Sequence, residues 1–485
     1  MQLESQSHTG PPSFDTALNQ RSMNYAFIQG MFWAIMFGVG ECYFSIFATH
    51  VHAPSYFFGL LSGVPSLFGP LSQIVGANTV ERTRKRKSIV IFSVVIQCLC
   101  YAPMACLPFL GGGQTTHYLL LAIMFAYFVG AHFCVPAWNS WISVLVPAEV
   151  RSSWFARNSR AAAIISLIAK LAVAGALYMA SRQSDDAQEA STAIIFAVAF
   201  AIAGISRLGS YVVIRKMYEP HYEHTPDATF TFWQFIRRAR ESNFVRFVLF
   251  VSLLHFGALI SGPFFLPYAI YTLKFEQWQW IVLESFGAIA SIMTLLFWGS
   301  FSHRFGNRKT LKYTAIIISL IPIWWLVSTN FYYLLAVNTV SGLAWAGFNL
   351  SAFNYLLEAV SPPKRARCVA YFNCMVGIGI FSGSMLGGFL YETLPTTLSL
   401  FGWVLTVSSP FIYLLILSAF GRLLISLLFI GAFSELRKVE HFSLKDLVFY
   451  IAEMRLPVGL QFGAIANPPK DATDNKERTE KERQE

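Results

Sequence analysis

Long apolar stretches of this sequence contain ionisable side chains, which are costly there; the clearest are Glu41, Lys170, Glu284, Arg207 and Arg422, together with His132 and His255. A carboxyl group in such surroundings can take up a proton, or it can form an ion pair with a lysine. We therefore expect Glu41, Lys170 and Glu284 to take part in proton coupling. A structural ion pair between Glu41 and Lys170 is the alternative for those two. Glu284 lies near the end of its apolar stretch, so simple exposure to water is its alternative.

Seven residues are candidates for binding a solute, because indole rings stack on planar groups and amides both donate and accept hydrogen bonds. They are His132, Trp138, Asn139, His255, Trp345, Asn349 and Asn354. Such side chains suit a polar organic solute, for example a sugar, a nucleoside or a peptide fragment. The alternative is that they only pack helices together, with each histidine hydrogen-bonded in the interior. Arg207 and Arg422 are expected to have structural roles.

The sequence has no pattern that indicates an enzyme, a metal site or a cofactor. Its seven cysteines form no CxxC pair and no spacing with histidine, so we expect buried thiols rather than disulfides or zinc ligands. It has no HExxH sequence and no nucleophile with an adjacent base. It also has no GxxxxGK[ST] loop that would bind a nucleotide. We expect a protein that is not an enzyme and needs no cofactor.

The composition indicates an integral membrane protein. A soluble chain of 485 residues would form about three domains. Here only 13% of the residues are charged, against about 25% in ordinary globular proteins. Hydrophobic residues make up 55%, and mean hydropathy is +0.50. That much apolar surface requires a lipid bilayer as the partner. The basic residues lie in loops between apolar runs, so the net charge of +10 does not indicate binding to nucleic acid.

Twelve apolar runs have about the 20 residues that an α-helix needs to cross a bilayer. The predicted spans are 24–50, 55–78, 88–110, 117–146, 158–181, 191–215, 245–271, 279–301, 310–329, 331–359, 367–392 and 408–433. The run 397–433 is too long for one helix, so its first part is assigned to a connection. Prolines and Gly262 should interrupt span 7, and the glycines at 379, 383 and 387 should allow close helix packing in span 11.

The predicted organisation has five parts. The chain begins with a cytoplasmic N-terminal segment (1–23) and a six-helix bundle (24–215). A cytoplasmic linker (216–244) leads to a second six-helix bundle (245–433), and a partly disordered cytoplasmic tail (434–485) follows. The linker ends in "FTFWQFIRRARESNF" and the tail contains "SLKDLVFYIAEMRL"; each could form one helix on the membrane surface.

The distribution of lysine and arginine predicts the orientation. The short loops on the side of the N-terminus are rich in both residues, whereas the opposite loops hold only Arg182 and Lys274. Positively charged loops stay in the cytoplasm. We therefore expect both termini to be cytoplasmic in a multi-pass protein of the cell (inner) membrane.

The two halves of the chain resemble each other at a spacing near 215 residues. Asn139 matches Asn354, and Arg207 matches Arg422. The loop "ANTVERTRKRKSI" between spans 2 and 3 matches "GSFSHRFGNRKTL" between spans 8 and 9. Six helices, a longer linker and six related helices are typical of a duplicated transporter.

These two loops resemble the signature G-x-x-x-D-R-x-G-R-R of the major facilitator superfamily. The second copy has His303 in place of the acid, and the first copy lacks the glycines. An acid among these basic residues could pair with a neighbouring helix and act as a conformational latch. The latch residues expected from the two copies are Glu81, Arg82, Gly299, Arg304, Gly306 and Arg308.

The resemblance implies an all-α integral membrane fold of twelve transmembrane helices in two related six-helix bundles. It also implies that spans 1, 4, 7 and 10 line a central cavity. We expect a secondary active transporter that moves a small polar organic solute by alternating access, with proton-coupled symport and a monomeric state. The alternatives are an uncoupled facilitator and a membrane sensor or receptor of the same fold without net transport.

Overall fold

The first half of the chain contains six long helical spans. The computed structural model describes residues 16–220, 237, 242–360, 365–400, 403–429, 431–437 and 439. Span 1 is Thr16–Val39, continued by a 3₁₀ turn at Glu41–Tyr43 and by Phe44–His50. The others are Ser55–Thr83 (span 2), Arg86–Cys106 (span 3), Gln114–Phe133 with Val135–Leu145 (span 4), Ala148–Ala180 (span 5) and Asp185–Lys216 (span 6). The first helix begins at Thr16, inside the segment 1–23 that was predicted to precede it.

The second half repeats this arrangement. Its helices are Asn243–Ser261 with short turns to Thr272 (span 7), Gln277–Phe305 (span 8), Asn307–Val327 (span 9), Phe331–Ala359 (span 10), Arg365–Thr393 (span 11) and Phe411–Phe429 (span 12). Residues up to 438 form one compact unit, and a second unit comprises Val439–Glu485. The surface helices predicted in the linker and in the tail lie, apart from Arg237 and residues 242–244, outside the described residues.

Eleven helical stretches of the described chain are long and apolar enough to cross a membrane. Span 10 is long enough, at 29 residues, but it is more polar. It carries Asn338, Thr339, Ser341, Asn349 and Asn354 along its length. Polar side chains in a membrane helix normally face the interior of the bundle or a cavity. With span 10 counted, the predicted twelve-helix fold is confirmed.

A short hairpin interrupts the helical pattern before span 12. Thr397–Leu400 pairs with Trp403–Thr406 as an antiparallel two-stranded sheet, with Thr397 opposite Thr406. The prediction that 397–433 is a connection followed by a helix is confirmed, although the connection was not expected to contain strands.

The predicted irregularities of spans 7 and 11 are present and are related. Span 7 passes through a 3₁₀ turn at Gly262–Phe264 and a π turn at Tyr268–Thr272. In span 11, a Cβ atom on each of the three spaced glycines would collide with a backbone carbonyl oxygen of span 7. The collisions are Gly379 with Ser252, Gly383 with Phe256, and Gly387 with Ile260. Because glycine lacks a Cβ, the two helices pack backbone to backbone.

The helices alternate in direction, so the bundle has two faces. The terminal face carries the ends of spans 2 and 8 at Thr83 and Phe305, and the opposite face carries their beginnings at Ser55 and Gln277. At the opposite face the halves are in contact. The Tyr271 hydroxyl donates to the Ala53 carbonyl at 2.9 Å. The rings of Tyr178 and Trp278 also pack edge to face, at 5.1 Å.

Candidate functional site

A cavity of about 630 Å³ lies between the two halves. Its wall comes from spans 1, 4 and 5 of the first half and from spans 8 and 10 of the second half. Three charged residues line it: Glu41, Lys170 and Glu284. The structure therefore brings all three proton-coupling candidates to one cavity. The polar side chains of Asn338 and Ser341, on span 10, complete the opposite wall.

An ion pair crosses this cavity from one half to the other. The Nζ atom of Lys170, on span 5, lies 2.7 Å from Oε2 of Glu284, on span 8. Lys170 lies ten residues before Ala180, and Glu284 seven residues after Gln277. Both are thus about 10 to 15 Å from the helix ends at the opposite face. The two helices are antiparallel neighbours, and these positions bring the charges to the same depth.

The structure corrects two predicted alternatives. The ion pair between Glu41 and Lys170 is wrong, because the ammonium group of Lys170 is bound by Glu284 instead. Glu284 is not simply exposed to water either. Its side chain is 41% exposed, but one carboxylate oxygen is held by the lysine.

Glu41 is held by a different partner inside the first half. It begins the 3₁₀ turn at which the first helix departs from α-helical geometry. The hydroxyl of Tyr127, on span 4, donates to Oε2 of Glu41 at 2.6 Å. Tyr127 and Tyr101 are both buried, and both hydroxyls also contact the sulfur of Met36. The carboxyl group therefore faces a cavity on one side and a buried tyrosine cluster on the other.

The two histidines make interior hydrogen bonds and do not line the cavity. Nδ1 of His132 lies 2.9 Å from Nε2 of Gln73 on span 2. Nδ1 of His255 lies 2.9 Å from the carbonyl oxygen of Val251, one turn earlier in the same helix, and Nδ1–H is the donor. The ring of His255 also packs against Trp345 at 5.4 Å. Both positions agree with the alternative in which each histidine is hydrogen-bonded in the interior and only packs helices together.

The other solute-binding candidates are dispersed. Trp138 lines a smaller cavity within the first half. Asn139 and Asn349 are exposed, and Asn354 is partly exposed. None of these residues lines the cavity between the halves.

Several residues of the cavity were missed by sequence reasoning. Asn338 donates a hydrogen bond from Nδ2 to the carbonyl oxygen of Leu283, the residue before Glu284. It therefore couples span 10 to the ion pair on span 8. Asn338, Ser341 and Gly342 are spaced so that they share one helix face, and this spacing was a usable signal. Tyr127 gave no such signal, because a tyrosine in an apolar run is typical of a membrane protein.

The helices that follow the two signature loops, spans 3 and 9, are each capped at the first turn by a glutamate that lies outside the signature. The backbone N–H of Lys87 donates to Glu219 at 3.0 Å, and that of Arg308 donates to Glu435 at 2.8 Å. Each is the second residue of its helix, where a carboxylate compensates the unpaired N–H groups and the helix dipole. In each half the acid follows the sixth helix.

The predicted latch residues have different surroundings in the two copies. Glu81 and Arg82 are exposed, and the side chain of Glu81 has no hydrogen bond or ion pair within the described residues. Arg304 is exposed and lies over the ring of Phe305. Gly306 has a φ of 98°, and a Cβ there would collide with the carboxylate of Glu435. A Cβ atom on Gly299 would contact, among the described residues outside its own turn of helix, only Leu350, at 4.0 Å.

Twelve membrane-spanning helices in two related halves, with a cavity between them that contains charged side chains, define a membrane transport fold. The family model of the Major Facilitator Superfamily matches residues 22–312 and 279–449. The chain belongs to this superfamily, as its loop signature predicted.

Related sequences match over short segments. The protein svop-1 of Caenorhabditis elegans is 28% identical over 112 residues, which are 23% of this chain and 20% of that protein. The uncharacterised MFS-type transporter MJ1317 of Methanocaldococcus jannaschii is 28% identical over 173 residues, 33% of this chain and 43% of that protein. These matches span less than half of either relative.

Solved structures share the fold along most of the chain. A mutant of the nucleoside transporter NupG gives a TM-score of 0.60 at 16% identity, covering 86% of this chain and 100% of that chain. A bacterial homologue of the human lysosomal transporter Spinster, solved inward-facing and unoccupied, gives 0.55 at 16% identity, covering 79% and 84%. At this identity the likeness concerns the fold.

Proposed function

We propose that this protein is a secondary active transporter that carries a small polar organic solute together with protons, by alternating access. The cavity between the halves is the proposed solute site. The observation that carries the proposal is that Glu41, Lys170 and Glu284 line one cavity and that the last two join the halves. Charges whose partner lies on the other half change their surroundings when the halves move.

The proposed orientation places both termini and the terminal face in the cytoplasm of a cell (inner) membrane. The structure then corresponds to a conformation that is closed toward the outside, where Tyr271 contacts Ala53. A latch at Glu81 would close the terminal face, so it would be unpaired in this conformation. The proposed units are the two bundles 24–215 and 245–433, joined by the linker 216–244, in a monomer.

A proton can act at two points in this arrangement. Protonation of Glu284 removes its attraction to Lys170, which favours separation of the halves at the opposite face. Protonation of Glu41 removes a negative charge from the cavity wall, while Tyr127 can keep its hydrogen bond to the neutral acid. A solute that enters when Glu41 is protonated therefore travels with a proton.

The test is the substitution Glu41→Gln in vesicles that contain the purified protein. Labelled nucleosides, sugars and dipeptides are first screened for uptake, which also separates a transporter from a sensor of the same fold. We expect Glu41→Gln to abolish accumulation driven by a pH gradient but to retain solute exchange, because the amide cannot carry the proton. Glu392→Gln, the same change at an exposed site, is the control. Accumulation by the Glu41 variant at the control level would make Glu41 a structural residue.

A further inference from the structure

A second cavity, of about 300 Å³, lies inside the first half, among spans 1, 3, 4, 5 and 6. Among the described residues, Arg207 is the one charged residue in its lining, and it is only 4% exposed. Amide side chains and two indole rings form much of the remaining wall: Gln29, Gln97, Asn158, Trp33 and Trp138. The transport mechanism proposed above does not use this cavity.

The guanidinium group of Arg207 is incompletely bonded. Its Nε atom donates to Oε1 of Gln97 on span 3. Its Nη1 atom is buried and has no partner within the described part of the chain, and neither has the buried amide oxygen of Asn158. A buried cation with an unsatisfied donor is costly, and an anion would remove that cost.

The repeat partner of Arg207 has a different bonding pattern, because its Nε is the buried nitrogen without a partner among the described residues and both of its Nη groups are bound. Arg422, also 4% exposed, donates from Nη1 to the carbonyl oxygen of Ile318 at 3.0 Å. Its Nη2 donates to the carbonyl oxygen of Ala258 and to Ser261 Oγ, both at 2.9 Å. Both Nη groups of Arg422 are thus occupied by their own half. The equivalent arginine of the first half instead borders an open space.

We propose that the cavity at Arg207 binds the carboxylate group of a small organic anion. The guanidinium group of Arg207, whose Nη1 lies just behind the cavity wall, turns to donate to the carboxylate, and Asn158 can turn its amide nitrogen toward the same group, since amide oxygen and nitrogen are assigned from the hydrogen bonds. Trp33 and Trp138 supply apolar surface for the rest of the molecule. A single guanidinium in the lining matches a single negative charge, and the volume limits the ligand to a few carbon atoms.

Butyrate is the probe, tested on the purified full-length protein in lipid nanodiscs at constant ionic strength. Isothermal titration and the unfolding midpoint are measured with sodium butyrate, with the uncharged butyramide and with sodium chloride. We expect butyrate to bind and to raise the midpoint, because a ligand of the folded state stabilises it. An equal effect of butyramide, or an effect of chloride without one of butyrate, would overturn the proposal.

Two substitutions locate the site. Arg207→Gln removes the cation, and the folded variant should not bind butyrate. Gln97→Glu keeps the shape of the side chain but places a carboxylate against Arg207. It should give a stable protein that binds butyrate at least tenfold more weakly than the wild type. Gln114→Glu adds the same charge at an exposed position and should bind as the wild type does. Wild-type affinity in Gln97→Glu contradicts the assignment even if Arg207→Gln does not fold.

Discussion

The substitution Glu284→Gln tests whether the ion pair between spans 5 and 8 holds the opposite face closed. The pair has an N–O distance of 2.7 Å, with 13% exposure of the Lys170 side chain and 41% of Glu284. An exposed pair contributes about 0.2–1 kcal/mol, and breaking a fully buried one costs about 3–5 kcal/mol. Because the lysine is nearly buried and solvent screens the glutamate, we expect about 1.5–2 kcal/mol. That corresponds to a shift of roughly 10- to 30-fold toward the conformation open at the opposite face.

The native thiol of Cys42 reports this shift, because it lies in the cavity wall next to Glu41. The other six cysteines are replaced by serine, and an impermeant maleimide is added on the side of the opposite face. We expect Glu284→Gln to increase the labelling rate about tenfold, since labelling from that side follows the population of the open conformation.

Two controls make the result specific. Glu392→Gln removes the same charge at an exposed position near the same face and should leave the rate unchanged. The double substitution Lys170→Glu with Glu284→Lys restores an ion pair of reversed direction and should return the rate toward that of the parent. A folded Glu284→Gln protein that labels within about twofold of the parent would refute the idea that this pair holds the face closed.

Three further predictions concern the loops and the orientation. Gly306→Ala should lower the free energy of unfolding by about 1–3 kcal/mol, because of the positive φ and the collision with Glu435, whereas Gly299→Ala should be nearly neutral. Scanning calorimetry of both variants measures the difference. Glu219→Gln should cost about 0.5–2 kcal/mol through the weakened cap of span 3, seen as a lower unfolding midpoint. Cysteines introduced at Gln114 and Ser184 should react with an impermeant reagent in intact cells, and one at Thr83 should not; labelling at Thr83 would reverse the orientation.

The fold could be predicted because membrane helices have a strong one-dimensional signal. Apolar length defines each span, and basic residues mark the loops. Even span 10, which is more polar than the other spans, was predicted from the length of its largely apolar run. The internal repeat supplied the division into halves. None of these signals depends on how the helices are rotated or which of them are neighbours.

The partners of the charged residues depend on that missing information. Lys170 and Glu41 belong to the same half of the chain and Glu284 to the other, yet span 5 meets span 8 at this depth. A change of one residue turns a side chain by about 100° around the helix axis, so sequence position alone does not select a partner. The acids Glu219 and Glu435 were within reach of sequence reasoning, since they repeat at the spacing of the two halves. They were missed because both lie outside the predicted spans, in the linker and in the tail.

The two halves share the contacts that stabilise each half. They differ in the charged residues that border cavities. Both cap their third helix with a glutamate from beyond the sixth helix. Arg422 is bound by carbonyl groups of its own half. These contacts would stay the same if that half moved as a rigid body. In the proposed transport cycle, Lys170 and Glu284 would lose their shared contact when the halves separate, and the surroundings of Glu41 would change when a ligand or a proton binds. If the proposed cycle holds, the energy for switching conformation comes mainly from the charges at the cavity between the halves, and the repeated loops contribute mainly to the stability of each half.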